Sequence, residues 1–152
     1  MQATFRLGDA AADAEFCRAH QHLYHRICRL ADNVAGFYLR ADAHLIMPEN
    51  ARIEGVPRFV GVTFDEEDDR AFERQVNALL SGRKFPPELP VPKFSVALEV
   101  EFPDGGKETF VFDFAAYSDE AIEAFCSAVC ESARRRYRFR FAYAGNRRGA
   151  AV

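Results

Sequence analysis

"KFSVALEVEFPDGGKETFVFDF", residues 93–114, alternates apolar and polar residues on either side of Pro103-Asp104-Gly105-Gly106. Successive side chains of an extended chain point to opposite faces, so strict alternation is the pattern of a half-buried strand. Two such runs joined by a Pro-Asp-Gly-Gly turn read as an antiparallel hairpin. One face of the hairpin is polar, with Lys93, Ser95, Glu99 and Glu101 on its first strand and Thr109 and Asp113 on its second. A sheet of this kind takes helices on its apolar side.

The flanking sequence supplies them. Residues 2–7, "QATFRL", read as a short edge strand. Asp9 or Asp13 can N-cap a helix over residues 10–34, along which Phe16, Leu23, Ile27, Leu30 and Val34 recur at helical spacing. Gly36 is placed to stop it. Residues 37–47, "FYLRADAHLIM", then read as a strand ended by Pro48, with Tyr38, Arg40, Asp42 and His44 along its polar face. "PRFVGVTF" (57–64) is a second strand, and the acid-rich run from Asp65 opens a helix whose positive N-terminal end suits its carboxylates. Gly82 closes that helix, and the Pro-rich "KFPPELPVP" (84–92) is a stiff connection to the hairpin. Its Pro87-Glu88-Leu89-Pro90 match to PxxP reads as linker chemistry.

After the hairpin, Ser118 starts a third helix with Ile122, Phe125, Cys126, Val129, Cys130 and Ala133 on one side. "RRYRFRFAY" (135–143) alternates and reads as a closing strand, with Arg136, Arg138 and Arg140 on one face and aromatic residues on the other. The expected architecture is α+β: a two-layer sandwich in which a mainly antiparallel sheet of five to six strands carries three helices on one face. Residues 1–144 form a single domain, and residues 145–152 a flexible basic tail.

The composition, 49% apolar and 28% charged over 152 residues, is that of a globular domain large enough for a real core. No apolar run approaches the roughly 20 residues of a spanning helix, and the N-terminal stretch lacks a signal-peptide pattern. No membrane association and a cytoplasmic location are therefore expected, with the four cysteines as reduced thiols. The net charge of −3 divides into +7 over residues 134–152 and −10 over the rest. A basic end on an acidic body can bind an acidic partner or dock on the body itself.

"HQHLYHRIC" (20–28) places three of the four histidines within six positions, between Cys17 and Cys28. On one continuous helix His20 would flank the apolar stripe while His22 and His25 face solvent, so the three diverge and cannot meet on one metal. Cys17 and Cys28 lie roughly 16 Å apart along such a helix, too far for one metal or one disulfide. Cys126 and Cys130 share a helical face, but it is the apolar one, where thiols behave as small hydrophobes. No metal and no cofactor are expected. The acidic "FDEEDDRAFE" (64–73) lacks the alternating ligands and central Gly of a calcium loop.

Chemistry motifs are equally scarce. There is no GxSxG, no HExxH and no Gly-rich phosphate loop. The first functional expectation is accordingly a protein-interaction module without catalytic activity, of the adaptor, inhibitor, immunity or chaperone kind, acting on another protein or as a homodimer. Its partner-binding candidates are Tyr38, Arg40, Asp42 and His44 on the sheet and Arg136, Arg138 and Arg140 at the basic end. The order helix, strands, helix, two strands, helix resembles that of small acidic secretion chaperones, which act as dimers, a likeness of element order carried by no motif. A second expectation is an enzyme using the polar sheet face, with His44 as acid/base oriented by Asp42 or Glu99. A third is a polyanion or nucleic-acid binder gripping phosphates through the arginine row, a reading that the acidic pI of about 5.8 disfavours.

Overall fold

A computed structural model describes residues 1–40, 55–82 and 93–150, with side chains as far as Arg136. In chain order the elements are β1 (Gln2–Arg6), α1 (Ala10–Ala19), α2 (Gln21–Arg40), β2 (Arg58–Asp65), α3 (Glu66–Leu80), β3 (Ser95–Glu101), β4 (Lys107–Asp113), a single 3-10 turn (Phe114–Ala116) and α4 (Asp119–Ala150). The fold is α+β. Among the described residues it has one antiparallel sheet of four strands, in the order β1-β2-β3-β4, and four α-helices, against the five to six strands and three helices expected.

The hairpin stands as read. Ser95 pairs with Asp113 and Glu101 with Lys107 without a register shift. Its turn is closed by bonds from Gly105 N to Phe102 O (2.8 Å) and from Phe102 N to Gly106 O (2.8 Å), with Gly105 at φ +88°, a left-handed conformation in which glycine is unstrained. β2 departs from strict alternation: the register shifts between Phe59 and Gly61, leaving Val60 as an extra residue. This bulge lets Phe59 and Val62, three apart, both turn inward.

Inner-face residues form cross-strand rows such as Phe5–Val62–Leu98–Phe110. They join one hydrophobic core with the stripe Leu23, Ile27, Leu30, Val34 and Tyr38 of α2 and with Phe125, Cys126, Val129, Cys130 and Ala133 of α4. The helix caps follow local chemistry. Asp9 accepts from Ala11 N and Ala12 N at the start of α1, and Asp65 from Glu67 N and Asp68 N at the start of α3. Ser118 accepts from Ala121 N at the start of α4. Gly82, at φ +69°, follows α3 as its C-terminal signal.

Three expectations are corrected. The helix over 10–34 is two helices, broken at His20, whose backbone leaves the helical region (φ −139°, ψ 59°). Gly36 does not end α2, which runs on to Arg40, so residues 37–40 are helical rather than the start of a strand. Val34, Phe37 and Tyr38 continue the i, i+3, i+4 pattern, and the missing Cβ of Gly36 leaves space for the Arg40 guanidinium, 3.3 Å from where a Cβ would sit. The segment 135–143 is not a closing strand but part of α4, which runs to Ala150. No proline interrupts this segment, and the stripe through Val129, Cys130 and Ala133 carries helical spacing up to it. The remainder of the expected 37–47 strand and the PxxP match lie outside the described residues.

Candidate functional site

The corrected elements redistribute the residues singled out from sequence. Tyr38 belongs to the buried stripe of α2 and is 7% exposed, so it serves the core rather than a sheet surface. Arg40 is exposed at the C-terminal end of α2. Asp42 and His44 lie outside the described residues, and with them the constellation of His44 with Asp42 and Glu99. Glu99 itself does stand on the outer sheet face, 4.0 Å from Lys107. Arg136, Arg138 and Arg140 occupy a helix, where residues two apart differ by about 200° around the axis and so do not form the single-faced row a strand would give.

Arg136 is engaged within the chain. Its Nε lies 3.3 Å from Asp104 Oδ2, and its guanidinium stacks 5.1 Å from the centre of the Phe102 ring. It fits over the turn because Gly106 has no Cβ, which would collide with the guanidinium. Nearby, Arg135 donates to Ser132 Oγ (3.2 Å) and Ser132 Oγ to Glu108 Oε1 (3.3 Å). The start of the basic end is thus docked on the hairpin, one of the two roles its charge allowed.

His20 and His22 tie the start of α2 to α3. His20 Nδ1 is 2.7 Å from Asp69 Oδ2 of α3, beneath the rings of Phe5, Phe16 and Phe64. His22 does not face solvent as expected: its Nε2 is 3.1 Å from Asn77 Oδ1 and 3.4 Å from Glu73 Oε2. The break at His20 rotates α2 relative to the continuous helix that the expectation assumed. Among the described residues no group of three or more His, Cys, Asp or Glu side chains is placed to hold a metal ion.

Cys126 and Cys130 are in the core. Burial pushes both thiols up, that of Cys130 to about 11. Such thiols are poor nucleophiles at neutral pH. A brief N-ethylmaleimide pulse at pH 7.5 should leave both unlabelled in the native protein and label both in denaturant, read by peptide mass spectrometry. A raised folded pKa also fixes the sign of the alkaline response. Below the ordinary value of 9.0 the Cys130 thiol is neutral in both states, and as pH rises from there to about 11 the unfolded chain ionises it first. Stability should therefore fall across that interval.

Two surfaces remain. On the outer sheet face the cross-strand row Thr4–Thr63–Ala97–Val111 carries no charge and no aromatic ring. Val111 is 66% exposed on it. On one side lies Arg6–Gly61–Glu99–Thr109, with one charge of each sign and Lys107 4.0 Å from Glu99; on the other the pairs Gln2–Asp65 and Ser95–Asp113 carry two carboxylates. β1 and β4 are the edges of the sheet. The second surface is a cleft of about 460 Å³ between α2 and α4. Arg29, Asn33, Phe37 and Arg40 line one wall; Asp119, Ile122, Glu123 and Cys126 line the other, with Tyr117 at its end. Both walls follow helical spacing, and sequence reasoning missed the cleft because ending α2 near Gly36 severed Phe37 and Arg40 from Arg29 and Asn33.

No family model, no curated protein and no solved structure matches the chain. Among the described residues no helix is long and apolar enough to cross a membrane.

Proposed function

We propose that this chain is a protein-interaction module without catalytic activity, whose partner protein lays an extended segment along the edge of β4 and over the adjoining outer face. The observation that carries this reading is the uncharged row ending at exposed Val111 on an edge strand. An edge strand presents unpaired backbone donors and acceptors that an added strand can use, while alternate side chains beside it set specificity. An uncharged centre with a charged rim is the usual anatomy of a protein interface. The rim, with Asp65, Glu99 and Asp113 beside the uncharged row, favours a protein segment over a polyanion, which would select a net positive face.

The test is affinity capture with nuclease treatment, comparing the wild type with Val111→Lys. A stoichiometric protein retained by the wild type should fall by about tenfold on Val111→Lys, the effect of placing a charge in the centre of an interface. Circular dichroism and the melting temperature should stay unchanged, because the side chain points away from the core. Equal capture by both forms would remove β4 from the interface.

A further inference from the structure

The open edge of β4 has a property that the edge of β1 lacks. In the hairpin, Phe114 N donates to Phe94 O and Phe102 N to Gly106 O, each at 2.8 Å. Backbone groups alternate in direction along a strand, so the even-numbered residues of β4 bond to β3. Lys107, Thr109, Val111 and Asp113 therefore turn their N–H and C=O groups to the open edge. No described residue bonds to those groups. An antiparallel copy of β4 can bond to them only where edge-facing residues meet edge-facing residues, which centres the pairing on one residue of the strand. Centred on Phe110, the middle residue of Lys107–Asp113, the pairing takes in the whole strand. Lys107 then stands opposite Asp113 at both ends, Thr109 opposite Val111, Glu108 opposite Phe112, and Phe110 opposite itself. No like charges face one another.

We infer that a second copy of this chain is the partner of the β4 edge, the two β4 strands pairing about Phe110 so that the two sheets become one. This inference rests on the reading of that edge as a protein interface and identifies its occupant. A lysine on an edge strand ordinarily discourages pairing. In this register both lysines meet a carboxylate. Asp113 Oδ1 already accepts from Phe94 N (3.1 Å) and Ala115 N (3.0 Å), and among the described residues Oδ2 remains for the Lys107 ammonium of the second copy. The exposed Val111 gains a cross-strand neighbour in Thr109. The half-buried Phe110 meets its counterpart at a non-hydrogen-bonded position, where cross-strand side chains come closest. β1 offers no such match. Its edge-facing residues are Gln2, Thr4 and Arg6, and pairing about Thr4 would set both Arg6 side chains opposite Gln2.

The experiment is sedimentation equilibrium of the full chain from about 2 to about 400 µM, with Lys107→Glu and Val111→Lys beside the wild type. One added strand pair is a small interface, so the wild type should dimerise with a dissociation constant of about 20 µM. At the low micromolar concentration of a circular dichroism melt the chain is then mainly monomeric, so loss of the dimer does not move the melting temperature of Val111→Lys. Lys107→Glu places like charges opposite one another twice per dimer and should weaken it at least about tenfold, as should Val111→Lys. The register is read by carbodiimide cross-linking of mixed 14N and 15N chains at about 200 µM. Lys107 and Asp113 of one chain are about 20 Å apart along β4, so an amide between them forms only between chains and should appear as a mixed-isotope peptide pair. A wild type that stays monomeric at about 400 µM, a dimer that both variants leave intact, or a dimer without the Lys107–Asp113 link would each overturn the assignment. A monomer whose captured protein is still lost on Val111→Lys would overturn the second copy and leave the interface reading standing. Equal capture by both forms would remove the two readings together.

Discussion

Phe94→Ala should cost about 4 kcal/mol of stability, within the range for truncating a buried aromatic residue. Phe94 is fully buried, and its ring stacks on Phe72 of α3 at 4.9 Å and meets Phe64 of β2 edge-on at 6.0 Å. The residue also joins both strands of the hairpin at its open end. Its N–H donates to Asp113 Oδ1 (3.1 Å), and its carbonyl accepts from Phe114 N (2.8 Å). Removing the ring leaves a cavity where sheet and helix meet, bordered by elements whose positions are fixed by other contacts, so collapse into it is limited. The melting temperature should fall by about 8–16 °C. Val111→Ala, on the opposite sheet face, should change stability by less than about 1 kcal/mol. Urea denaturation of the two variants measures the contrast. A loss under about 2 kcal/mol at Phe94 would show that the layers slide together to fill the space.

That contrast was legible in the sequence because the hairpin obeys a single rule. A period of two assigns Val96, Leu98 and Val100 to one face and Ser95, Ala97 and Glu99 to the other, and the structure keeps that partition. The apolar stripe of α2 and the Ser118 start of α4 were legible for the same reason, since local spacing and local capping agree with tertiary burial there. The errors fall where a local pattern admits two periods. In "FYLR" and "RRYRFRFAY" large apolar and charged residues alternate as in a strand, yet each segment extends a helix already under way. A glycine in a helix costs about 1 kcal/mol, and burying Tyr38 on the stripe of α2 outweighs it. The candidate cleft inherited that error, being built from positions on either side of Gly36. The bulge at Val60 and the bend at His20 had no local signal, because both are set by contacts with residues distant in the chain.

His20→Ala should cost about 3 kcal/mol, the upper end of the range for leaving a buried polar group without its hydrogen-bond partner. The side chains of His20 and Asp69 are 15% and 6% exposed, and among the described residues their 2.7 Å contact is the only hydrogen bond that the Asp69 carboxyl makes, its Oδ1 being buried without a partner there. Losing the imidazole strands both oxygens among aromatic rings, where water cannot reach them cheaply. His20→Phe combined with Asp69→Ala replaces the pair by apolar surface of similar total volume beside Phe5, Phe16 and Phe64, and should recover most of the loss. The double-mutant cycle through the singles His20→Phe and Asp69→Ala separates the penalty of a stranded carboxylate from the worth of the contact itself. The same variants bear on the helix break. The residue caps α1 through His20 N to Phe16 O (2.8 Å) and begins α2 by accepting from Tyr24 N at its carbonyl (2.9 Å), with no proline or glycine between the helices. With no local breaker, the tether to α3 is what turns the chain there. His20→Ala, which places the best helix former at the junction, should let α1 and α2 approach one continuous helix and raise the far-ultraviolet helical signal even as stability falls. A variant that loses stability with no gain in helicity would place the cause of the bend in the packing of Phe16 against the sheet instead.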